Sequence, residues 1–193
     1  MFSKLKSISN SISPITEDDW LMVEPNLKIK KYKKNEFYLS AGETEEQISF
    51  IIKGSFRWYY MNKKGEEVNF HFFLENNFVV EFNSFISQKP SQMFIEAMED
   101  SEVIRLPKRE KILECYSKSH NWERFGRIIS ETVFVETSTR VQDFLFRNAE
   151  ERYVNLLKQH PDIFKKVSLS NISSYLGIKG PSLSRIRKRI SKQ

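Results

Sequence analysis

Between Lys28 and Leu106 the chain is a succession of short runs rich in β-branched and aromatic residues, at 48–53, 56–61, 67–74, 78–82, 93–98 and 102–106. Turn signals separate them: Ala41-Gly42, Lys53-Gly54, Asn62-Lys63-Lys64-Gly65, Asn76-Asn77 and Lys89-Pro90. Strands this short are stable only together, so the pattern argues for a sandwich or barrel. Sixteen Phe, seven Tyr and three Trp supply much of its core. At 193 residues the chain suits one large domain, or a medium one and a small one, without disulfide or metal staples.

Beyond Leu106 the texture becomes helical, as it is in a capped short helix at 16–20, where acids follow Thr16. Pro107 is placed to open a helix carrying Leu113 and Cys115. A long segment at 122–148 holds no Pro and only Gly126, and it is apolar on two faces. One stripe is Phe125, Ile128, Thr132, Val135, Thr139, Gln142 and Phe146; the other is Trp122, Ile129, Val133, Phe144 and Leu145. One face can cover the strands, and the other needs a partner, most simply the same helix of a second copy. Phe125, Ile128, Thr132, Val135 and Thr139 are the candidate dimer interface; a helix buried within one large domain is the alternative. A further helix is expected at 149–159, ended by His160-Pro161.

Charge is unevenly spread. From Ile163 to Gln193 there are eight basic side chains and no acid, which leaves −2 on the rest of a chain of net charge +6. Such a tail suits a polyanion. Within it Ser168 can cap a helix with Leu169, Ile172 and Leu176 on one face, and Gly177 can end that helix in a left-handed conformation. Lys179-Gly180-Pro181 starts a second helix, with Leu183, Ile186 and Ile190 inward and Ser182, Arg185 and Arg189 outward. Two short helices about a Gly-containing turn make a helix-turn-helix. The candidate DNA-binding residues are Ser168, Lys179, Ser182, Arg185, Lys188 and Arg189, with Arg185 and Ser182 reading bases. Lys165 and Lys166 join the phosphate contacts. So does the Arg187-Lys188-Arg189 run, for which a helix C-terminus in water is the alternative.

A single cysteine, Cys115, excludes an internal disulfide and any all-Cys metal site, and it points to the cytoplasm. The chain has no run of apolar residues long enough for a membrane span, and Met1-Phe2-Ser3-Lys4 is not a secretory signal. His71, His120 and His160 are scattered, and His71-Phe72-Phe73 lacks the His-x-His pair of a cupin metalloenzyme. The sequence therefore offers no catalytic residues, metal ligands or cofactor site, and an enzyme is not expected.

A β-roll, a long helix and a C-terminal helix-turn-helix in this order resemble the Crp/Fnr family of transcription regulators, and the tail resembles its short Bacteroidetes-type members. Ile51-Ile52-Lys53-Gly54-Ser55 is similar to the family's strand and turn before the ligand pocket. Asn77-Phe78-Val79-Val80-Glu81 stands where the family has Gly-Asp-(apolar)₂-Gly-Glu. The resemblance implies an α+β fold: an antiparallel, jelly-roll-like β-roll with flanking helices over 1–118, a dimerisation helix over 119–148, and a small helix-turn-helix domain over 149–193. It implies a homodimer on double-stranded DNA at an inverted-repeat operator.

The pattern departs from the cyclic-nucleotide binders at the residues corresponding to their pocket, Val80, Glu81, Ser91 and Gln92. Ser91 stands where an Arg would neutralise the cyclic phosphate, and Val80 replaces a Gly, so cyclic AMP is not expected to bind. The iron–sulfur sensors' N-terminal cysteines are absent from the sequence. Phe70, Phe72, Phe73, Phe78, Phe82, Phe85 and Phe94 leave two readings open, a pocket for an unidentified uncharged effector or a filled aromatic core. In the tail, Pro181 takes the place of the recognition helix's usual acidic residue, and no β-wing follows. The alternative function is a small-ligand sensor acting through protein partners, with weak or vestigial DNA binding.

Overall fold

The structure, a computed structural model, describes residues 2–190. Lys192 and Gln193, counted in the basic tail above, lie outside the described residues. In chain order the elements are α1 (Ser3–Ile12), α2 (Glu17–Val23), a 3-10 turn (Glu24–Asn26), β1 (Lys28–Tyr32), β2 (Phe37–Leu39), β3 (Gln47–Lys53), β4 (Phe56–Met61), β5 (Glu67–Phe73), β6 (Phe78–Val79), α3 (Phe82–Ser87), β7 (Phe94–Ala97), β8 (Ser101–Lys108), α4 (Arg109–Lys118), α5 (His120–Phe146), α6 (Ala149–Gln159), α7 (Ile163–Lys166), α8 (Leu169–Leu176) and α9 (Gly180–Ile190). They form two compact units. One is Met1–Trp58 with Phe72–Val133; the other is Tyr59–His71 with Phe134–Gln193.

The strands form an antiparallel β-roll, most of it in the first unit with its helices, while residues 59–71, the end of β4 and most of β5, belong to the second. One sheet has the order β1-β8-β3-β6, and the other β2-β7-β4-β5. Period-two alternation decides which side chains meet where. Ile51 of β3 lies opposite Val103 of β8, and both join Tyr32, Leu39, Phe56, Phe73, Val79 and Ile95 in one buried cluster. Their neighbours Phe50 and Ile104, also opposite each other, join a cluster with Leu5, Trp20, Val23, Cys115 and Trp122 from the helices. At the β3–β4 turn Gly54 adopts φ 95°, and an added Cβ would lie 2.1 Å from Ser101 Oγ, so only glycine fits. Thr16 and Asp19 form a capping box on α2. The Asp19 carboxylate also accepts from the Ser119 hydroxyl and the Asn121 amide. Burial opposes its charge, but the bonds from Ser119, Asn121 and Thr16 outweigh that and hold the carboxyl down at about 2.

The Ser-rich N-terminus forms α1, for which the sequence raised no expectation. Three expectations here need correction. The run at 78–82 is a strand only at Phe78–Val79, because Glu81 caps a helix there. Pro107 lies inside β8, and the following helix opens at Arg109. Phe125 is 6% exposed and packs edge-on against Trp122 and Phe78, at 5.4 and 5.7 Å, so it belongs to the core and not to an outer face.

In the second unit the buried side chains include Tyr153, Leu156, Ile163, Val167, Ile172, Leu176, Leu183 and Ile186. Asn148 and Glu151 make a capping box that starts α6. Ser168 Oγ accepts from Asn171 N at 3.2 Å and starts α8. Gly177, at φ 64°, ends α8. Leu169, expected inward, is 45% exposed because it lies in the first turn of α8.

Candidate nucleic-acid interface

Three residues, Gly177, Ile178 and Lys179, separate α8 from α9. The Lys179 carbonyl accepts from Ser182 and Leu183 and so opens α9. Leu183 and Ile186 are buried, which turns the opposite side of α9 to solvent. That side carries Arg185, exposed one turn into the helix, whose guanidinium donates to Ser182 Oγ at 3.2 Å. Lys179 and Lys188 are exposed too. Ser168 is exposed, and while its oxygen caps α8 its O–H remains a donor at the helix start.

Three basic residues of the tail stand differently from the sequence expectation. Arg189 is ion-paired with Glu150 of α6, so a phosphate would have to displace that carboxylate. Lys165 pairs with Asp162 at 2.7 Å. Arg187 lies over the Phe164 ring at 5.0 Å. The Glu150 partner was out of reach of sequence reasoning, since 39 residues separate the pair.

In the β-roll, Glu81, Val80 and Ser91 are buried and Gln92 is exposed. Each buried residue has a structural task. Glu81 Oε2 accepts from Ser84 N at 2.7 Å and caps α3. Val80 packs with Ile48 and Phe85. Ser91 Oγ accepts from Met93 N at 2.9 Å. A second buried carboxyl, missed from sequence, is Glu45, which accepts from Gln47 N at 3.3 Å and Glu81 N at 3.4 Å. Burial pushes Glu45 up to about 7, against the lowering by those amides and Arg105, with Glu81 raising it further. Between the sheets the aromatic residues pack on one another: Phe56 on Tyr32 and Tyr38 at 5.5 and 5.9 Å, and Trp58 on Phe73 at 6.2 Å.

Along α5, Val135 is 60% exposed, Thr132 is exposed, and Ile128 and Thr139 are half-buried. Further along the helix Phe134, Val141, Leu145 and Phe146 are 71, 51, 69 and 79% exposed. Leu145 and Phe146 belong to the expected stripes, while Phe134 and Val141, seven residues apart, widen them.

Comparison with known proteins gives the class. The cyclic nucleotide-binding domain matches residues 29–118. Residues 29–118 are therefore similar to that domain, and the chain has the fold of solved Crp/Fnr transcription regulators. FixK2 from Bradyrhizobium japonicum is 19% identical over 86% of this chain and 85% of its own, with a TM-score of 0.73. A transcriptional regulator of the crp/fnr family from Eubacterium rectale is 14% identical over 92% and 84%, with a TM-score of 0.71. CLP, the c-di-GMP responsive global regulator of Xanthomonas campestris, is 16% identical over 91% and 90%, with a TM-score of 0.67. No curated protein sequence matches the chain. No helix among the described residues is long and apolar enough to cross a membrane. No group of three or more His, Cys, Asp or Glu among them could hold a metal ion.

Proposed function

We propose that the chain is a homodimeric, sequence-specific DNA-binding transcription regulator of the Crp/Fnr type that does not respond to cyclic AMP. The observation that carries this reading is the α8–α9 pair. Buried Leu183 and Ile186 fix one side of α9, and Arg185 and Lys188 stand exposed elsewhere on it. A basic second helix after a three-residue turn is the geometry that enters a major groove. Arg185, with Ser182 beside it, is the base-reading candidate, while Ser168, Lys179 and Lys188 meet phosphates. Arg189 contributes once its pair with Glu150 opens.

The exposed apolar strip on α5 supports a second copy as its cover. Two copies of α9 then meet successive major grooves, which makes the operator an inverted repeat. The organisation that serves this is a sensor roll over 1–118, a dimerisation helix over 119–148 and a DNA-binding domain over 149–193, acting in the cytoplasm. Selection of bound sequences from random double-stranded DNA is the test. Enrichment of an inverted repeat supports the reading, and failure to enrich any sequence overturns it.

A further inference from the structure

We propose that the β4–β5 hairpin is an autoinhibitory clamp on α8, pinned by Arg140 and released when the α8–α9 pair takes DNA. This rests on the DNA-binding reading above. All its contacts lie in the second unit. Ser174 of α8 is held on both sides by the main chain of β5: its Oγ accepts from Asn69 N at 3.0 Å and donates to Glu67 O at 2.9 Å. Asn69 Nδ2 reaches both Asn171 O and Asn171 Oδ1 at 3.3 Å. Strand and helix are then tied by one guanidinium. Arg140 Nη2 donates to Asn69 O at 3.1 Å and to Tyr175 O at 2.8 Å.

The pin is well seated. The Arg140 guanidinium lies 3.8 Å from the Tyr175 ring centre, 4.9 Å from that of Phe144 and 5.2 Å from that of Phe70. The carbonyl of Tyr175 is one of the orphan acceptors at the end of α8, where the helix dipole favours a cation. Arg152 Nε serves the next one, Leu176 O, at 3.0 Å.

The strand side of the clamp is built to open. Its hydrogen bonds include those of the small polar side chains Asn69 and Ser174, which water replaces at little net cost. It also leaves Asn69 Oδ1 buried without a hydrogen-bond partner among the described residues. That penalty belongs to the clamped form alone, and release removes it. The inhibitory sign follows from what the clamp occupies. The first helix of such a pair crosses the DNA backbone, and here Asn171 and Ser174, side chains suited to phosphate oxygens, are engaged on β5.

The test uses the full chain with Asn69→Cys and Ser174→Cys, titrated oxidised and reduced against the sequence that the wild type selects. Oxidised protein is expected to bind at least about tenfold more weakly than reduced protein. Asn69→Ala, without a cross-link, is expected to bind several-fold more tightly than wild type, with an unchanged circular dichroism spectrum, because it removes the strand's side-chain hold on Asn171 and no DNA contact. Equal binding by oxidised and reduced protein, or unchanged or weaker binding by Asn69→Ala, overturns the clamp. A wild type that binds no DNA overturns both readings, a pattern distinct from equal binding by the two redox forms.

Discussion

Gly177 and the Phe144 ring leave no room for a side chain at the turn between α8 and α9: a Cβ on residue 177 would lie 2.8 Å from Phe144 Cε1. The backbone there is left-handed, at φ 64°, which costs a residue with a Cβ about 1 kcal/mol or more before any clash. Gly177→Ala is expected to destabilise the chain in denaturant titration. Gly65→Ala is the control, since its φ is 74° but nothing lies within 4 Å of an added Cβ. Gly177→Ala should cost clearly more than Gly65→Ala, and equal costs would exclude the contact with Phe144.

Arg185 is one turn into α9 and exposed, with its guanidinium on Ser182 Oγ. A bidentate arginine–guanine contact contributes about 1–3 kcal/mol of discrimination. Arg185→Ala should weaken the specific site about 5- to 150-fold with little effect on random DNA. Lys179→Ala should weaken all sequences alike and reduce the salt slope by about one. Equal losses on specific and random DNA for Arg185→Ala would make it a phosphate contact.

Val135 is 60% exposed on the apolar strip of α5. Val135→Glu is expected to turn a dimer into a monomer in sedimentation velocity at micromolar concentration. A wild type that sediments as a monomer there would remove the dimer from the reading.

Cyclic AMP and cyclic GMP are expected not to bind. Ser91 offers no charge where the resemblance puts an arginine, and Val80, packed with Ile48 and Phe85, stands where it puts a glycine. Micromolar binding of either nucleotide by calorimetry would falsify this.

Glu45 gives stability a pH slope. Its usual value near 4.5 is raised to about 7, so the folded chain holds the proton more tightly than the unfolded chain. That contribution is complete below about pH 4.5 and is lost as pH rises through 7. Glu45→Gln should flatten this part of the curve, gaining on wild type by up to about 3 kcal/mol between pH 4 and pH 8. Parallel stability curves for the two proteins across that range would contradict it.

The strands were legible because β-branched and aromatic runs ended in turn residues. The ends of β4, at Phe56 and Met61, coincide with the expected run. The α8–α9 pair was legible because Ser168, Gly177 and the inward Leu183 and Ile186 are all local signals. What failed was non-local. Phe125 fits an outer stripe by spacing, yet Trp122 and Phe78 bury it. Arg189 reads as free until α6 brings Glu150 to it. Glu45 sits in an acidic stretch that looks like surface, and only the fold closes over it. Asn69 looks like an ordinary strand residue, and its partner Ser174 lies 105 positions away.

That separation has a consequence for the order of synthesis. The second unit is assembled from residues 59–71 and residues 134 onward, so its strand is made long before the helix it holds. A nascent chain must keep Asn69 and the rest of the hairpin waiting until Ser174 has left the ribosome. Contacts so distant in sequence close late and slowly. The same interlacing forbids transplanting the DNA-binding end as a cassette. A segment cut at Ala149 would leave behind both Arg140 and the strand, and α8 would begin its new life with its hydroxyls and terminal carbonyls unattended.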